Sequence, residues 1–329
     1  MNLDINNMSF SELKKLKEEL TNAFSNSLKD EFVLNELNLK NFNDNGKYLC
    51  NHCGSFHTHK YGKNIQGKQR YKCLTCNKVM ISQQEILTFS TKKDFSQWIS
   101  FLDSLLNGDS LDLSAKKSKI SKSTARRWRY KILAVLHKKL NKVKLSGTIY
   151  LDETLFSNIH KDKTKSTIDI KLRGMSNQKL NVTCAIDKNH NSIIKVLDSG
   201  RVTSKSLINA YDTLIDKDSI VVSDSLRSYH QLMEHLKVRW KKIPSKKKSI
   251  EKYDLQPINH YHALIKDFFY KYKGISYKYL EGYLALFDYR NKNRDYHNLD
   301  KLIMIIKDIF TTKSTLRCVD IDDKSFIFE

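Results

Sequence analysis

Two pairs of cysteines near the start of the chain constrain its folding more than any other feature. They form two Cys-x-x-Cys motifs about 20 residues apart: Cys50, Cys53, Cys73 and Cys76. A residue that tolerates a left-handed backbone follows each motif, Gly54 in the first case and Asn77 in the second. This spacing is typical of a zinc ribbon, in which four thiolates hold one structural Zn²⁺ in tetrahedral coordination.

The segment around these cysteines is basic. Residues 47–82 contain no Asp or Glu, and the loop between the motifs carries four cations: Lys60, Lys63, Lys68 and Arg70. Such a surface favours contact with phosphates.

Two alternatives to a zinc site with four cysteine ligands are weaker. A disulfide is unusual in a cytoplasmic chain, and His57 or His59 would have to replace a cysteine as a ligand.

The composition indicates a globular protein with a polyanionic partner. The chain has 329 residues, of which 40% are hydrophobic, a formal net charge of +22 and an isoelectric point near 9.5. This length is enough for two or three domains with a sizeable core. No apolar run approaches the roughly 20 residues of a membrane span, and the first residues lack the layout of a secretory signal. We therefore expect a cytoplasmic, nucleoid-associated protein that binds DNA rather than a membrane.

A helix-turn-helix is predicted after the ribbon. Apolar residues recur at helical spacing between 90 and 140, and a turn is expected near Ser118–Ile120. Ser121 or Ser123 would cap the second helix. The residues expected to form the core are Phe95, Trp98, Phe101, Leu102, Leu105, Ala115, Ile120, Ala125, Trp128 and Ile132.

This helical region also carries half of the net charge of the protein. Residues 111–145 hold twelve Lys or Arg and one acid, Asp112, which gives a net charge of +11. A basic run is usually only a solvated face, but here it coincides with the pattern of a recognition helix, which favours DNA binding. The candidate DNA-binding residues are Lys122, Arg126, Arg127, Arg129 and Lys131.

The segment from 147 to 290 alternates between strand and helix patterns. Strands are predicted at 148–152, 180–186, 192–198, 219–223 and 237–241, and helices at 204–214, 226–236 and 257–272. This order is that of a ribonuclease-H-like core. Asp152 and Asp224 are each predicted at the end of a strand, where neighbouring strands would bring them together. Because two close carboxylates repel each other, a divalent cation is the natural third partner. A single Asp at the end of a strand more often caps a turn.

The residue pattern of the last predicted helix of this segment indicates a third cluster of polar side chains. Asn259, His262 and Lys266 share one helical face, although an ordinary exposed face has the same pattern. The following segment, from Tyr270 to Phe287, interleaves aromatic residues with lysines. It suits either a surface that stacks on bases or a buried helix with basic edges. The residues expected in the core are Tyr279, Leu280, Tyr283, Leu284 and Phe287.

Together these motifs resemble bacterial insertion-sequence transposases that have a zinc-ribbon head and a core of the ISXO2-like group. The resemblance covers about residues 47–290, and no single motif carries it. It rests on the two cysteine motifs with 69–73 between them, on 123–132, on 152–154, on Ser223 and Asp224 with Tyr229, on 256–259 with His262 and Lys266, and on 274–284.

The resemblance implies a metal-dependent enzyme that acts on DNA. Such enzymes hold Mg²⁺ with acidic residues on a ribonuclease-H-like fold, cut DNA at the terminal inverted repeats of the element and join the freed 3′-hydroxyls to a target. Asp152 and Asp224 would be the first two acids, and Asn259 stands at the third position, where most such enzymes have Glu. Lys266 and His262 would complete the site from the same helix. Because an amide oxygen ligates Mg²⁺ without adding charge, the two Asp residues would hold the metal.

Other acids and other functions remain possible from the sequence. Glu153 points to the opposite face of a regular strand from Asp152, which makes it a weaker candidate, and Glu251 and Asp254 are reserve candidates for the third acid. A DNA-binding protein without catalysis is the main alternative, since the third acid is missing. A ribonuclease-H-like nuclease that cuts without joining is disfavoured by the basic recognition segments.

The sequence therefore predicts an α+β multidomain protein with a zinc ribbon, a helix-turn-helix and a ribonuclease-H-like α/β catalytic core. The expected segments are an N-terminal helical segment (1–46), the zinc ribbon (47–82), the helix-turn-helix region (88–145), the core (146–290) and a helical tail (291–329). In the first segment, Leu13, Leu16, Leu20 and Phe24 recur at helical spacing. We expect a homo-oligomer when the protein assembles on DNA.

Overall fold

A computed structural model describes residues 47–81, 93–157, 179–272 and 275–312, except 51, 66, 68, 141, 246 and 248, and also describes residues 19, 23 and 321. The predicted N-terminal helix with its apolar residues from 13 to 24 lies outside the described residues, apart from 19 and 23. The chain divides into two compact units. One consists of Met1–Val135 with Tyr296–Ile321, and the other of Leu136–Asp295 with Asp322–Glu329.

The elements of the first unit are β1 (Thr58–Lys63), β2 (Gln69–Cys73), β3 (Val79–Ile81), α1 (Phe95–Leu106), α2 (Leu111–Lys117), most of α3 (Lys122–His137) and, from the C-terminal part of the chain, α8 (Asn298–Thr311). The elements of the second unit are β4 (Thr148–Ser157), β5 (Lys179–Asp187), β6 (Ser192–Ser199), α4 (Ser204–Tyr211), β7 (Ile220–Ser223), α5 (Ser228–Leu236), β8 (Arg239–Lys242), β9 (Ser249–Ile250), β10 (Tyr253–Asp254), α6 (Gln256–Lys271) and α7 (Leu280–Lys292).

The cysteine motifs lie on a small antiparallel sheet formed by β1, β2 and β3. Both residues predicted to adopt a left-handed backbone do so, with φ of +72° at Gly54 and +57° at Asn77. The sheet has its own small core, in which the rings of Tyr48 and Tyr71 stack with centroids 4.5 Å apart and Met80 is buried. So few apolar residues stabilise a fold only weakly, which is why small ribbons of this kind depend on a metal.

The helices α1, α2 and α3 pack around stacked tryptophans. The rings of Trp98 and Trp128 lie 3.6 Å apart, and Phe101 meets Trp128 edge to face. Of the ten core residues predicted here, eight are buried, whereas Phe95 and Ile120 are only half-buried. Ile120 differs because it lies in the turn before α3, where the helical period that buries its neighbours does not apply.

The turn between α2 and α3 has the predicted chemistry. Of the two candidate caps, Ser121 is the one used, since its hydroxyl accepts a hydrogen bond from the Thr124 N–H at 3.2 Å. Lys119 adopts a left-handed backbone, with φ of +51°, which reverses the chain between the helices. The tail helix predicted near 298–310 is α8, and it packs against α1.

A five-stranded mixed sheet organises the second unit. Its strand order is β6-β5-β4-β7-β8, in which β5 is antiparallel to both neighbours and β4, β7 and β8 run parallel. With α4, α5 and α6 placed between and after these strands, the element order is the one expected for a ribonuclease-H-like core. The two-residue strands β9 and β10, which lead into α6, were not predicted because their pairing is too short to leave a sequence pattern.

One expectation about the first strand of this sheet is wrong. β4 does not end at Asp152 but continues to Ser157, because it keeps pairing with β5 as far as the Ser157–Lys179 pair. Its other neighbour, β7, does end early, and the last pair between the two strands is Leu151 with Ser223. Asp152 therefore lies within a strand, while Asp224 follows the end of one.

The two faces of the sheet carry different side chains. Ile149 and Leu151 belong to the large core under α4 and α5, whereas Tyr150 packs in a smaller cluster with Val222 and Tyr253. Further along the chain, all five residues between 279 and 287 that were expected in the core are buried. The aromatic segment is thus mainly a packing element, with Tyr270 left exposed on α6.

Candidate active site and nucleic-acid interface

Asp152 and Asp224 lie side by side because of the strand register. Leu151 pairs with Ser223, so the next residue of each segment is an aspartate. One oxygen of each carboxylate is held by a nearby backbone N–H: Asp152 Oδ1 accepts from Glu153 at 2.9 Å, and Asp224 Oδ1 accepts from Leu226 at 2.9 Å. The second oxygen of each aspartate accepts none of the described hydrogen bonds, which is the arrangement a metal ligand needs.

The carboxyl group of Asp152 has an unusual pKa. Burial raises it to about 6, a bond from the Glu153 N–H lowers it, the Asp224 carboxylate raises it, and the Lys266 ammonium lowers it. Asp224 and Lys266 thus act on the same group from different elements. Such a pair of mutually repelling acids beside a cation is a common feature of sites that bind metals or phosphates.

The helix α6 brings His262 and Lys266 of its predicted cluster to this position. His262 is buried, and its Nδ1 lies 3.7 Å from Asp152 Oδ2, which is too long for a hydrogen bond. Burial and the nearby Lys266 lower the pKa of His262 to about 4, so the imidazole is neutral near pH 7. Asn259 lies one turn earlier on α6 with its side chain exposed, and Lys266 is exposed one turn later.

Glu153 lies on the other face of the sheet, as the alternation of strand side chains predicts. Its Oε1 accepts a hydrogen bond from the hydroxyl of Tyr229 at 2.8 Å and a longer one from Thr183 at 3.4 Å. Burial raises the pKa of Glu153 to about 7, the Tyr229 bond lowers it, and the charges of Asp152 and Asp224 raise it. Sequence reasoning missed the contact with Tyr229, which joins residues 76 positions apart.

The two reserve candidates for a third acid have other partners. Glu251 Oε1 pairs with the ammonium of Lys241 at 2.7 Å. Asp254 Oδ1 accepts a hydrogen bond from the Gln256 N–H at 2.9 Å, at the beginning of α6. Each carboxylate therefore already serves a structural interaction, and within the described residues no third acid joins Asp152 and Asp224 closely enough to form a three-ligand group.

The four cysteines form a preorganised metal site. Their sulfur atoms all lie within 4.8 Å of one another, and two of the pairs, Cys50 with Cys76 and Cys53 with Cys73, are 3.6 Å apart. Tetrahedral zinc with Zn–S bonds of about 2.3 Å requires sulfurs about 3.8 Å apart. The residues present therefore fit Zn²⁺, and it is the only group of three or more potential ligands found among the described residues.

The candidate DNA-binding residues on α3 separate into two groups. Lys122 is exposed and pairs with Asp112, while Arg126, Arg127 and Lys131 are half-exposed. Arg129 differs, because its side chain is only 4% exposed. Its guanidinium donates to the carbonyl of Asp109 at 3.1 Å and to the hydroxyl of Ser114 at 3.2 Å. The prediction that Arg129 contacts DNA is not supported, since these bonds use it to join α3 to the segment around α2.

Comparison with known families agrees with this geometry. Residues 144–292, which include both aspartates and all of α6, match the model of the ISXO2-like transposase domain. This part of the chain is similar to ISXO2-like transposase domains. The resemblance inferred from the sequence motifs is thus confirmed for the domain that carries the candidate active site. No curated protein sequence matches the chain.

Solved structures of Mos1 transposase assemblies share a distant likeness with the chain. A pre-cleavage Mos1 transpososome is 13% identical, covering 64% of this chain and 78% of that one, with a TM-score of 0.26. A Mos1 mariner paired-end complex with Mn is 15% identical over 68% of this chain and 78% of that one, with a TM-score of 0.27. Values this low indicate a remote similarity only.

No helix of the described residues is long and apolar enough to cross a membrane.

The residues of the candidate active site also fit a divalent cation held by two carboxylates. Mg²⁺ in sites that act on phosphates is commonly bound by one or two carboxylates, with water and substrate phosphate in the other positions. Asp152 and Asp224 provide two such groups, and their mutual repulsion is relieved by a cation between them.

Proposed function

We propose that this protein is a DNA transposase, which binds the terminal inverted repeats of an insertion sequence and catalyses Mg²⁺-dependent strand cleavage and strand transfer. The observation that carries the proposal is the adjacency of Asp152 and Asp224 in an ISXO2-like transposase domain, with Lys266 acting on the same carboxylate. Mg²⁺ bound there supplies charge for activating a water or a 3′-hydroxyl and for stabilising the leaving oxygen.

The side chains of the site have distinct roles in this proposal. Asp152 and Asp224 hold the cation through the oxygens that no backbone N–H occupies. Lys266 neutralises a phosphate of the DNA next to the cut. His262 is neutral and packs against Asp152, which keeps the carboxylate on the side of α6. Asn259 offers an amide oxygen as an uncharged third ligand.

The proposal assigns recognition of DNA to the basic segments before the domain. The helices α2 and α3 with their short turn would act as a helix-turn-helix in the region 88–145, with Lys122, Arg126, Arg127 and Lys131 facing DNA. The zinc ribbon of 47–82, with Zn²⁺ on its four cysteines, would add phosphate contacts. The protein would assemble as a homo-oligomer on paired DNA ends in the cytoplasm, where the nucleoid lies.

Substitution of the acids tests this function. The substrate is a duplex that carries the inverted repeat flanking the gene, incubated with Mg²⁺ or Mn²⁺ and analysed on denaturing gels. Asp152→Ala or Asp224→Ala should abolish cleavage and leave binding of the duplex intact. Asp212→Ala, which removes an exposed acid paired with His235, serves as the matched control and should cleave normally. Cleavage by the Asp152→Ala variant at the rate of the unaltered protein would contradict the proposal.

A DNA-binding protein without catalysis is the second candidate, and one observation favours it. Glu251 and Asp254 are both engaged elsewhere, so the described site has two acids and no third. Asn259→Glu distinguishes the two functions. If Asn259 is the third ligand of an enzyme, Glu at this position should keep or raise the affinity for Mn²⁺ and retain cleavage. Absence of cleavage by the unaltered protein with either metal would favour the binding-only function.

A further inference from the structure

The hydrogen bond between Tyr229 and Glu153 connects the two segments that carry the aspartates. β7 ends at Ser223, so beyond Leu151 the strand β4 no longer has a paired neighbour on that side. Asp152 and Glu153 lie just past this point, and Asp224 lies in the segment that leads to α5. Among the described hydrogen bonds, the one from Tyr229 Oη to Glu153 Oε1, 2.8 Å long, is the one that joins β4 after Leu151 to the segment 224–229.

The same glutamate also holds the carboxylate of Asp152. The backbone N–H of Glu153 donates to Asp152 Oδ1 at 2.9 Å, while its side chain accepts from Tyr229 on the opposite face of the sheet. Tyr229 lies in the first turn of α5, five residues after Asp224, and its side chain is fully buried. A chain of two hydrogen bonds therefore runs from α5 through Glu153 to Asp152.

We propose that Tyr229 and Glu153 form a brace that sets the spacing between Asp152 and Asp224 for binding a divalent cation. Neither residue touches the cation in this arrangement, and both act as positioning residues. The inference rests on the proposed metal site of the transposase. Partners that orient metal ligands in this way typically change metal affinity by about 10- to 100-fold when they are removed.

A closely matched control lies on the same face of the sheet. Tyr211 is fully buried in the same core as Tyr229, and its hydroxyl shares a hydrogen bond of 2.6 Å with Thr183 rather than with Glu153. Tyr229→Phe and Tyr211→Phe each remove one buried hydroxyl and keep the ring. Both should destabilise the domain to a similar degree, but only Tyr229→Phe removes the connection to the segment of Asp224.

The test is a titration of the full-length, zinc-loaded protein with Mn²⁺, followed by electron paramagnetic resonance of the free ion. Tyr229→Phe should weaken Mn²⁺ binding by about tenfold or more, whereas Tyr211→Phe should bind as the unaltered protein does. Urea unfolding of both variants measures their loss of stability separately. Equal Mn²⁺ affinity in Tyr229→Phe and the unaltered protein, or an equal loss in Tyr211→Phe, would overturn the brace.

Variants of Glu153 keep the inference testable if Tyr229→Phe does not fold. Glu153→Gln retains an oxygen that accepts from Tyr229 and should bind Mn²⁺ within a few-fold of the unaltered protein, whereas Glu153→Ala should lose about as much affinity as Tyr229→Phe. In the double variant the two losses should not add, because they break the same connection. Additive losses would overturn the brace.

The same titration separates the brace from the proposed metal site. If Asp152→Ala removes Mn²⁺ binding and Tyr229→Phe does not weaken it, the brace alone is wrong. If the unaltered protein binds no Mn²⁺ that depends on Asp152, both the metal site and the brace are wrong.

Discussion

Replacing Glu153 by Gln should change how the stability of the second unit, which contains Asp152 and Asp224, depends on pH. The ordinary pKa of this carboxyl is 4.5, and in the fold it is raised to about 7, first by burial and further by the charges of Asp152 and Asp224. Because one pKa unit corresponds to 1.36 kcal/mol, ionised Glu153 costs about 3 kcal/mol of unfolding free energy at high pH. The Tyr229 bond works in the opposite direction and has already reduced this cost.

The direction of this pH dependence follows from whether the folded or the unfolded chain binds the proton of Glu153 more strongly. The carboxyl of Glu153 holds its proton more tightly in the folded protein than in the unfolded chain. Protonated Glu153 therefore adds its full contribution to the unfolding free energy below about pH 4.5, and this contribution is lost as the pH rises through about 7. Between pH 5.5 and pH 8 this loss amounts to about 2 kcal/mol. Gln cannot ionise, and its amide oxygen can still accept from Tyr229. Glu153→Gln should therefore gain about 2 kcal/mol relative to the unaltered protein over this range.

Hydrogen exchange of the slowest amides of β5 measures the unfolding free energy of this unit separately from the other one. β5 is suited to this because it is paired on both sides in the sheet. The protein is kept zinc-loaded in buffer free of Mg²⁺ and Mn²⁺, and Glu234→Gln, at an exposed position of α5, is the control for loss of a surface carboxyl. Parallel pH curves for Glu153→Gln and the unaltered protein, with the same loss of stability between pH 5.5 and pH 8, would refute the reasoning.

Three further predictions concern the basic part of the chain. Cys73→Ser should lower the zinc content measured by elemental analysis from one ion per chain towards zero, because Cys73 supplies one of the four sulfurs; unchanged zinc would place the metal elsewhere. Arg127→Ala should weaken binding to a repeat-carrying duplex and reduce the slope of log affinity against log salt by about 1 if it contacts a phosphate. Arg129→Ala should instead lower the unfolding free energy by about 1–3 kcal/mol through the loss of its buried hydrogen bonds, and gel-shift titrations with urea unfolding separate these outcomes.

Local spacing in the sequence was enough for much of the fold and part of the site. The cysteine motifs and the residues that follow them predict the tight turns of the ribbon. Alternating or helical spacing of apolar residues locates most strands and helices within a few residues. The adjacency of Asp152 and Asp224 was also predictable, since each follows a β-prone run. The continuation of β4 to Ser157 was not, because that extension depends on pairing with β5, which is distant in sequence.

Side-chain roles that depend on distant partners were the ones missed. Arg129 sits in a basic helix and was predicted to face DNA, but its partners are the Asp109 carbonyl and Ser114, 20 and 15 residues earlier. Glu153 appeared only as a poor metal ligand, since nothing in its local pattern indicates that Tyr229 lies against it. Helical and strand periods determine which face a residue occupies, and they carry no information about what the opposite element presents.

The number of acids at the site has a consequence for how strongly the binding of metal and the binding of DNA depend on each other. Asp152 and Asp224 provide two charges, Asn259 adds none, and the other nearby acids are engaged elsewhere. A divalent cation held by so few charged ligands needs further oxygens, and in the proposed function a DNA phosphate next to Lys266 would supply them. Mn²⁺ should therefore bind more tightly when a repeat-carrying duplex with a non-cleavable phosphorothioate at the cut is present. By linkage the duplex should bind more tightly, by the same factor, when Mn²⁺ is present. Asn259→Glu should reduce this dependence, because it adds a third charge from the protein. Equal Mn²⁺ affinity with and without the duplex would show that the protein alone completes the site.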